Sequence, residues 1–183
     1  MIRGLLWILA AILLGGIVHL STVLAMPQTA TQDAYSRLAP STPINAVVPL
    51  APPTSKNAVM PFMDPAFAAA VCRYDLTSGS LKLIAPVSQA YTSVTFYTRK
   101  SVAYYAINDR AAGRHSIELD LMTPEQHADM PEEEDVTAAD RLIIESPGTV
   151  GLIVLRALAP EPGLMPMARR TLAAAKCELQ PPQ

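Results

Sequence analysis

Polar side chains of reactive type are sparse in this 183-residue chain, and their spacing limits the chemistry they can do. Asn108-Asp109-Arg110 is the densest cluster, placed between an apolar run and Gly113. Asn and Asp at such a position satisfy local backbone groups in turns, and Arg110 is available to Asp109 or to an anionic ligand. Arg73-Tyr74-Asp75 is a second cluster on an early strand, with the pattern of a cross-strand pair. If Asp75, Asn108, Asp109 and Arg110 converge on one concavity, they form a small-ligand or hydrolytic site.

Other chemistries find less support. His115, Glu118 and Asp120 have the residue types of a metal set. On a strand, however, Glu118 and Asp120 share one face and His115 points to the other, which reads as a solvated outer face. Residues 132–135, Glu-Glu-Glu-Asp, lack the interleaved spacing and the turn glycine of a calcium loop. Serines are plentiful, but none sits in a Gly-x-Ser-x-Gly elbow. Cys72 has Arg73 beside it, which lowers a thiol pKa, but packing or a disulfide with Cys177 is the simpler role. Such a bond, closing a loop of about 100 residues, stabilises by about 4 kcal/mol in the chain-entropy model. No cofactor or catalytic motif is legible, so an enzymatic role is not expected.

The elements that carry these residues are mainly β. Residues 70–76, 81–85, 91–98, 102–107 and 115–122 read as strands, with residues 91–98 and 102–107 forming a hairpin around Arg99-Lys100-Ser101. The alternation of Ile117, Leu119 and Leu121 against Glu118 and Asp120 marks a half-buried antiparallel strand. Thr123-Pro124-Glu125 is a helix start. Residues 141–145 and 151–158, apolar on both faces, read as central strands of a second hairpin around Ser146-Pro147-Gly148-Thr149. Residues 166–178 read as a terminal helix, on whose wheel Cys177 falls opposite the apolar stripe Ala168, Leu172, Ala175 and Leu179. A bond to Cys72 therefore needs the helix end to turn or fray. About seven short strands separated by turn signals predict an antiparallel β-sandwich-like domain over residues 64–183.

Two segments precede that domain. Residues 27–63 hold a possible short helix at 29–38 and then Pro40, Pro43, Pro49, Pro52, Pro53 and Pro61, the composition of an extended tether. Apolar patches at 46–48 and 59–63 suggest that this tether lies on the domain. Residues 4–26 carry no full charge and match a hydrocarbon core in length. Arg3 and the terminal amine precede them, Pro27 follows, and the next basic residue is Arg37. The positive-inside rule then predicts a single-pass inner-membrane anchor, with the N-terminus cytoplasmic and the domain periplasmic. A signal peptide cut after Val23-Leu24-Ala25 is the alternative and secretes the domain to the periplasm. The apolar run continues past the usual signal-peptide length, which favours the anchor.

Charge narrows the partners. Lys and Arg total 14 against 16 Asp and Glu, a formal net charge of −2. Arg3 is the one charge in the first 26 residues, so the remainder sits near −3. There is no basic stripe, and the single Trp lies in the apolar segment. That balance argues against nucleic acid as a partner.

Several short stretches, in order, carry a family resemblance: Met63-Asp-Pro-Ala-Phe67, Cys72-Arg-Tyr-Asp-Leu76, Tyr91-Thr-Ser-Val-Thr-Phe-Tyr97 and Tyr105-Ala-Ile-Asn-Asp-Arg110. With Gly16-Ile-Val-His-Leu20 and Arg156-Ala-Leu-Ala-Pro160, they resemble the domain of unknown function 1254 family. The closer similarity is to its short, single-pass, predicted integral membrane version of alphaproteobacteria. Longer relatives join this domain to a second, domain of unknown function 1214, absent here. The resemblance implies a β-sandwich-like fold, an envelope location and a possible partner, a separate protein carrying the missing domain. It carries over no catalytic residue. The expected function is a non-enzymatic, membrane-anchored interaction module.

Overall fold

The computed structural model describes residues 2–29, 33–54, 59–61, 63–112, 115–130 and 142–180. They divide into two units, Met1–Asp33 and Ala34–Gln183. The first is one helix, α1 (Ile2–Thr29). Its stretch Ile2–Met26 has a mean hydropathy of 2.3, the length and composition of a membrane anchor or a signal sequence. The Thr22 hydroxyl donates to the Val18 carbonyl at 2.8 Å, which satisfies it within the helix. The helix does not stop before Pro27 as expected but runs on to Thr29. Pro27 removes one backbone donor from the ladder, and only two residues of the helix follow it.

The second unit is mainly β. Its elements are α2 (Ala34–Leu38), β1 (Val47–Pro49), β2 (Phe67–Asp75), β3 (Leu81–Pro86), β4 (Thr92–Thr98) and β5 (Ala103–Asn108). Then follow α3 (Asp109–Ala112), β6 (Ser116–Met122), α4 (Pro124–Ala128), β7 (Leu142–Glu145), β8 (Val150–Leu158), α5 (Met165–Ala173) and β9 (Lys176–Leu179). Among the described residues nine strands form two sheets: five strands in the order β1-β2-β8-β4-β5 and four in the order β7-β6-β3-β9.

Period-2 alternation assigns the faces. Ala70, Cys72 and Tyr74 of β2, Phe96 of β4, and Ile153 and Leu155 of β8 are buried in one core. They meet Leu81 and Leu83 of β3 and Ile117, Leu119 and Leu121 of β6 there. Ala168 and Leu172 of α5 join the same core. The Cys72–Cys177 disulfide joins the two sheets through it, with a Cα–Cα distance of 6.6 Å.

Four expectations need correction. The stretches 141–145 and 151–158 do not form a hairpin. β7 pairs parallel with β6 at the edge of the smaller sheet, while β8 is central in the larger one between β2 and β4. Ser146-Pro147-Gly148-Thr149 carries the chain from one sheet to the other, because both sides of β8 are already taken. The terminal helix ends at Ala173 instead of continuing to residue 178. The chain then becomes β9, whose Cys177 lies opposite Leu83. Pairing with β3 overrides the helical periodicity there, and it turns Cys177 to the core. The proline-rich stretch is not only tether, since β1 pairs with β2 and the Asn45 N–H donates to the Arg73 carbonyl at 2.7 Å. Asp120, expected on a solvated face, is 5% exposed, and its Oδ1 accepts from Gln180 Nε2 at 3.2 Å. Gln180, just past the strand that follows α5, reaches back to it.

Other expectations match. The β4–β5 hairpin forms around Arg99-Lys100-Ser101, with Ser101 at φ 62°. Thr123 caps α4 in a reciprocal box with Gln126. Of the short helix expected at 29–38, only Ala34–Leu38 is α2. The acidic run 132–135 lies outside the described residues.

Candidate functional site

Asp75 and the Asn108-Asp109-Arg110 cluster, which a ligand site would bring together, lie apart. Asp75 ends β2 opposite Val150, whereas Asn108 ends β5 in register with Ser93, then Arg156, then Ala69. Asp75 is thus six residues along β2 and three strands across from Asn108, or roughly 20 Å along the strands and 14 Å across them. Asp75, Asn108 and Asp109 each have local work. Asp75 Oδ1 accepts from the Thr77 N–H at 3.0 Å and the Thr77 hydroxyl at 2.7 Å, closing the turn that leaves the larger sheet. Asn108 Oδ1 accepts from the Ala111 N–H at 3.1 Å and starts α3. Asp109 Oδ1 lies 3.5 Å from the Thr92 N–H, and Arg110 is exposed.

The remaining polar candidates are also dispersed. Glu118 accepts from the Ser116 hydroxyl at 2.8 Å, and His115 is exposed. Among the described residues, no three of His, Cys, Asp and Glu gather around one point. Cys72 and Cys177 are bonded to each other, so neither is a thiol nucleophile. His127 Nδ1 and Glu145 Oε1 meet at 2.7 Å on the surface.

Two features the sequence did not single out are built into the domain. The first is a hydroxyl cluster in the core. Tyr74 Oη lies 3.0 Å from Tyr104 Oη and 2.9 Å from Ser146 Oγ, which donates to the Gly148 carbonyl at 2.6 Å. Burial pushes both tyrosine hydroxyls above their ordinary pKa. The cluster sits against Gly151, where a side-chain carbon would collide with the Tyr74 ring and the Tyr97 carbonyl. It holds the crossing between β7 and β8.

The second is an apolar hollow of about 310 Å³ on the outer face of the larger sheet. Ala69 and Val71 of β2, Leu152 and Val154 of β8 and Tyr97 of β4 form its floor. Leu38 of α2 and Leu50, Met60 and Met63 from the proline-rich segment form its walls. Asp64, Ser101 and Arg156 supply its polar rim. The signal was present in part, because a strand apolar on both faces needs a second cover. The patches at 46–48 and 59–63 supplied candidates for that cover, but no spacing rule places them over β8.

Basic side chains hold α2 in position. Arg73, 8% exposed, donates through Nε to the Thr42 hydroxyl at 2.8 Å and through Nη2 to the Thr42 carbonyl at 2.6 Å. Its guanidinium and that of Arg99 lie over the Tyr35 ring, at 4.9 and 4.4 Å from the centroid. Arg99 Nη2 also donates to the Ser36 hydroxyl at 3.0 Å. These contacts to the segment just past α2, and to the Tyr35 ring and Ser36 within it, fix one wall of the hollow.

No family model matches the chain, and no curated protein matches it. Solved structures do. A crystal structure of a protein from Vibrio parahaemolyticus superposes with a TM-score of 0.58 at 10% identity, over 80% of this chain and 34% of its own. An uncharacterised protein from Burkholderia cenocepacia superposes with a TM-score of 0.50 at 11% identity, over 78% of this chain and 36% of its own. At these identities the likeness concerns the fold alone. The chain spans about a third of the length of these two proteins.

Proposed function

We propose that this chain is a non-enzymatic interaction module, held in the inner membrane by α1 with its β domain in the periplasm, that docks a partner protein along the edge of β5. The observation that carries this reading is the character of that edge. Among the described residues β5 has a strand neighbour on one side only. Its sequence, Ala-Tyr-Tyr-Ala-Ile-Asn, contains no charge and no proline, and Val102 just before it is 60% exposed. Natural sheets blunt such edges with charges, prolines or short strands. The other edges follow that rule: β1 has three residues and ends in Pro49, β7 has four, and β9 carries Lys176 and Glu178. An unblunted edge is suited to strand addition by a partner.

The resemblance to domain of unknown function 1254 supports the same reading. In that family the partner would be a separate protein bearing domain of unknown function 1214. The placement of Arg3 at the N-terminal end of α1 supports the orientation, with signal cleavage and release to the periplasm as the alternative fate of α1. The test is co-purification of the full chain extracted from membranes, comparing wild type with Ala106→Lys. Ala106 is exposed on β5, so the lysine leaves the fold intact while charging the edge. A stoichiometric protein retained by the wild type and lost from the variant is the expected result. Equal retention, or no retained protein, overturns the proposal.

A further inference from the structure

We infer that the hollow on the outer face of the larger sheet binds a fatty acid, its chain between the sheet and the proline-rich segment and its carboxylate on Arg156. The walls decide the chain. Leu38, Leu50, Met60, Met63, Leu152 and Val154 offer no hydrogen bond to a polar ligand. The two methionines adapt their shape to a flexible chain. With each methylene taking roughly the 30 Å³ that a water occupies in the liquid, a hollow of about 310 Å³ takes about ten carbons of one chain. That volume matches a single chain more closely than the paired chains of a phospholipid.

The rim decides the head group. Arg156 follows Leu152 and Val154 at two-residue spacing on β8, so all three share the outer face. Its register neighbours on the flanking strands are Ala69 and Ser93, both small, which leaves open space beside its stem. Its backbone is paired within the sheet, but among the described residues its guanidinium makes no hydrogen bond or ion pair. A guanidinium presents a planar fork that matches a carboxylate in two parallel hydrogen bonds. The one carboxylate on the rim, Asp64, already accepts the Ala66 N–H at 2.9 Å through Oδ1.

The test is photolabelling of the full chain in phosphatidylcholine nanodiscs with dodecanoic acid bearing a terminal diazirine, followed by peptide mass spectrometry. The expected label falls on peptides containing Met60, Met63 or Val154 and is competed by unlabelled dodecanoic acid. Val154→Trp, which fills the hollow, removes it. Arg156→Gln, on an exposed side chain, weakens competition by dodecanoic acid about tenfold and leaves competition by dodecanol unchanged. Label confined to α1, label undiminished in Val154→Trp, or equal loss for acid and alcohol in Arg156→Gln each overturns the inference. Thermal unfolding of each variant is followed in parallel, and Arg156→Gln decides if Val154→Trp fails to fold. The outcome is independent of the β5 edge, because Ala106→Lys leaves the labelling unchanged if the two sites are separate.

Discussion

The guanidinium of Arg73 lies 4.9 Å over the ring of Tyr35, and this contact ties α2 to the strand that runs beneath the apolar hollow. The same guanidinium donates to backbone oxygens just past the end of α2, at Thr42 and Ala39. Arg73 thus connects a helix wall to the sheet floor, with its charge satisfied by carbonyl dipoles and an aromatic face.

Arg73→Met keeps the length of the stem and removes the donors. It is expected to destabilise the docking of residues 34–42 by about 1–3 kcal/mol, the range for breaking a buried hydrogen bond to a charged group. Amide hydrogen exchange in that segment should accelerate while β6 and β8 keep their protection. Arg73→Lys should restore little, since an ammonium lacks the fork. Unchanged exchange in 34–42 would show that the contact does not hold α2.

The disulfide joins positions 105 residues apart and on different sheets. The double variant Cys72→Ala, Cys177→Ala is expected to lose about 4 kcal/mol, mainly through the entropy its unfolded chain regains. Urea unfolding of wild type, with and without reductant, should show the same decrease. An unaltered midpoint would refute this assignment of stability.

Gly151 lies opposite Tyr74 on β2 and Thr98 on β4. An added methyl meets both the Tyr74 side chain and the Tyr97 backbone carbonyl. Gly151→Ala is therefore expected to cost on the order of 1–3 kcal/mol, in the range of overpacked cores. Tyr74→Phe should not rescue it, because the ring carbon and the carbonyl remain. A Gly151→Ala protein as stable as wild type would show that the strands separate at no cost.

Tyr74 and Tyr104 titrate above the ordinary tyrosine value, chiefly because burial disfavours the phenolate. Below pH 10 both states of the chain keep these hydroxyls protonated, and their effect on stability is constant. Above pH 10 the unfolded chain loses protons that the folded chain retains. Stability should then fall, by up to about 1.4 kcal/mol per pH unit for each tyrosine. Unfolding free energies measured between pH 8 and 11 check the sign, and Tyr104→Phe should flatten the slope. A flat profile in the wild type would contradict the buried placement.

Much of the strand content was legible, because alternation reports which face of a strand is buried. Ile117, Leu119 and Leu121 are at most 2% exposed, as their spacing predicted. The β4–β5 hairpin and the Thr123 cap were legible for a related reason, since a tight turn and a capping box are local interactions. Asp75, Asn108, Asp109 and Arg110 illustrate the limit. Asn108 and Asp109 read as turn chemistry and Asp75 as part of a cross-strand pair, but the separation of Asp75 from the other three follows from the register of β2, β8, β4 and β5, which no local rule supplies.

What the sequence by itself determined about this protein is therefore local: an apolar N-terminal helix, a mainly β domain, its caps and turns, and a pair of cysteines available to each other. The tertiary structure decided which strands are neighbours. It placed β7 and β8 in different sheets despite four intervening residues, made a strand of residues 176–179, and laid a proline-rich segment over an apolar sheet face. The physical reason is that periodicity measures burial along one strand, whereas pairing depends on competition among all edges for the same hydrogen bonds. The hollow beside Arg156 exists only after that competition is resolved.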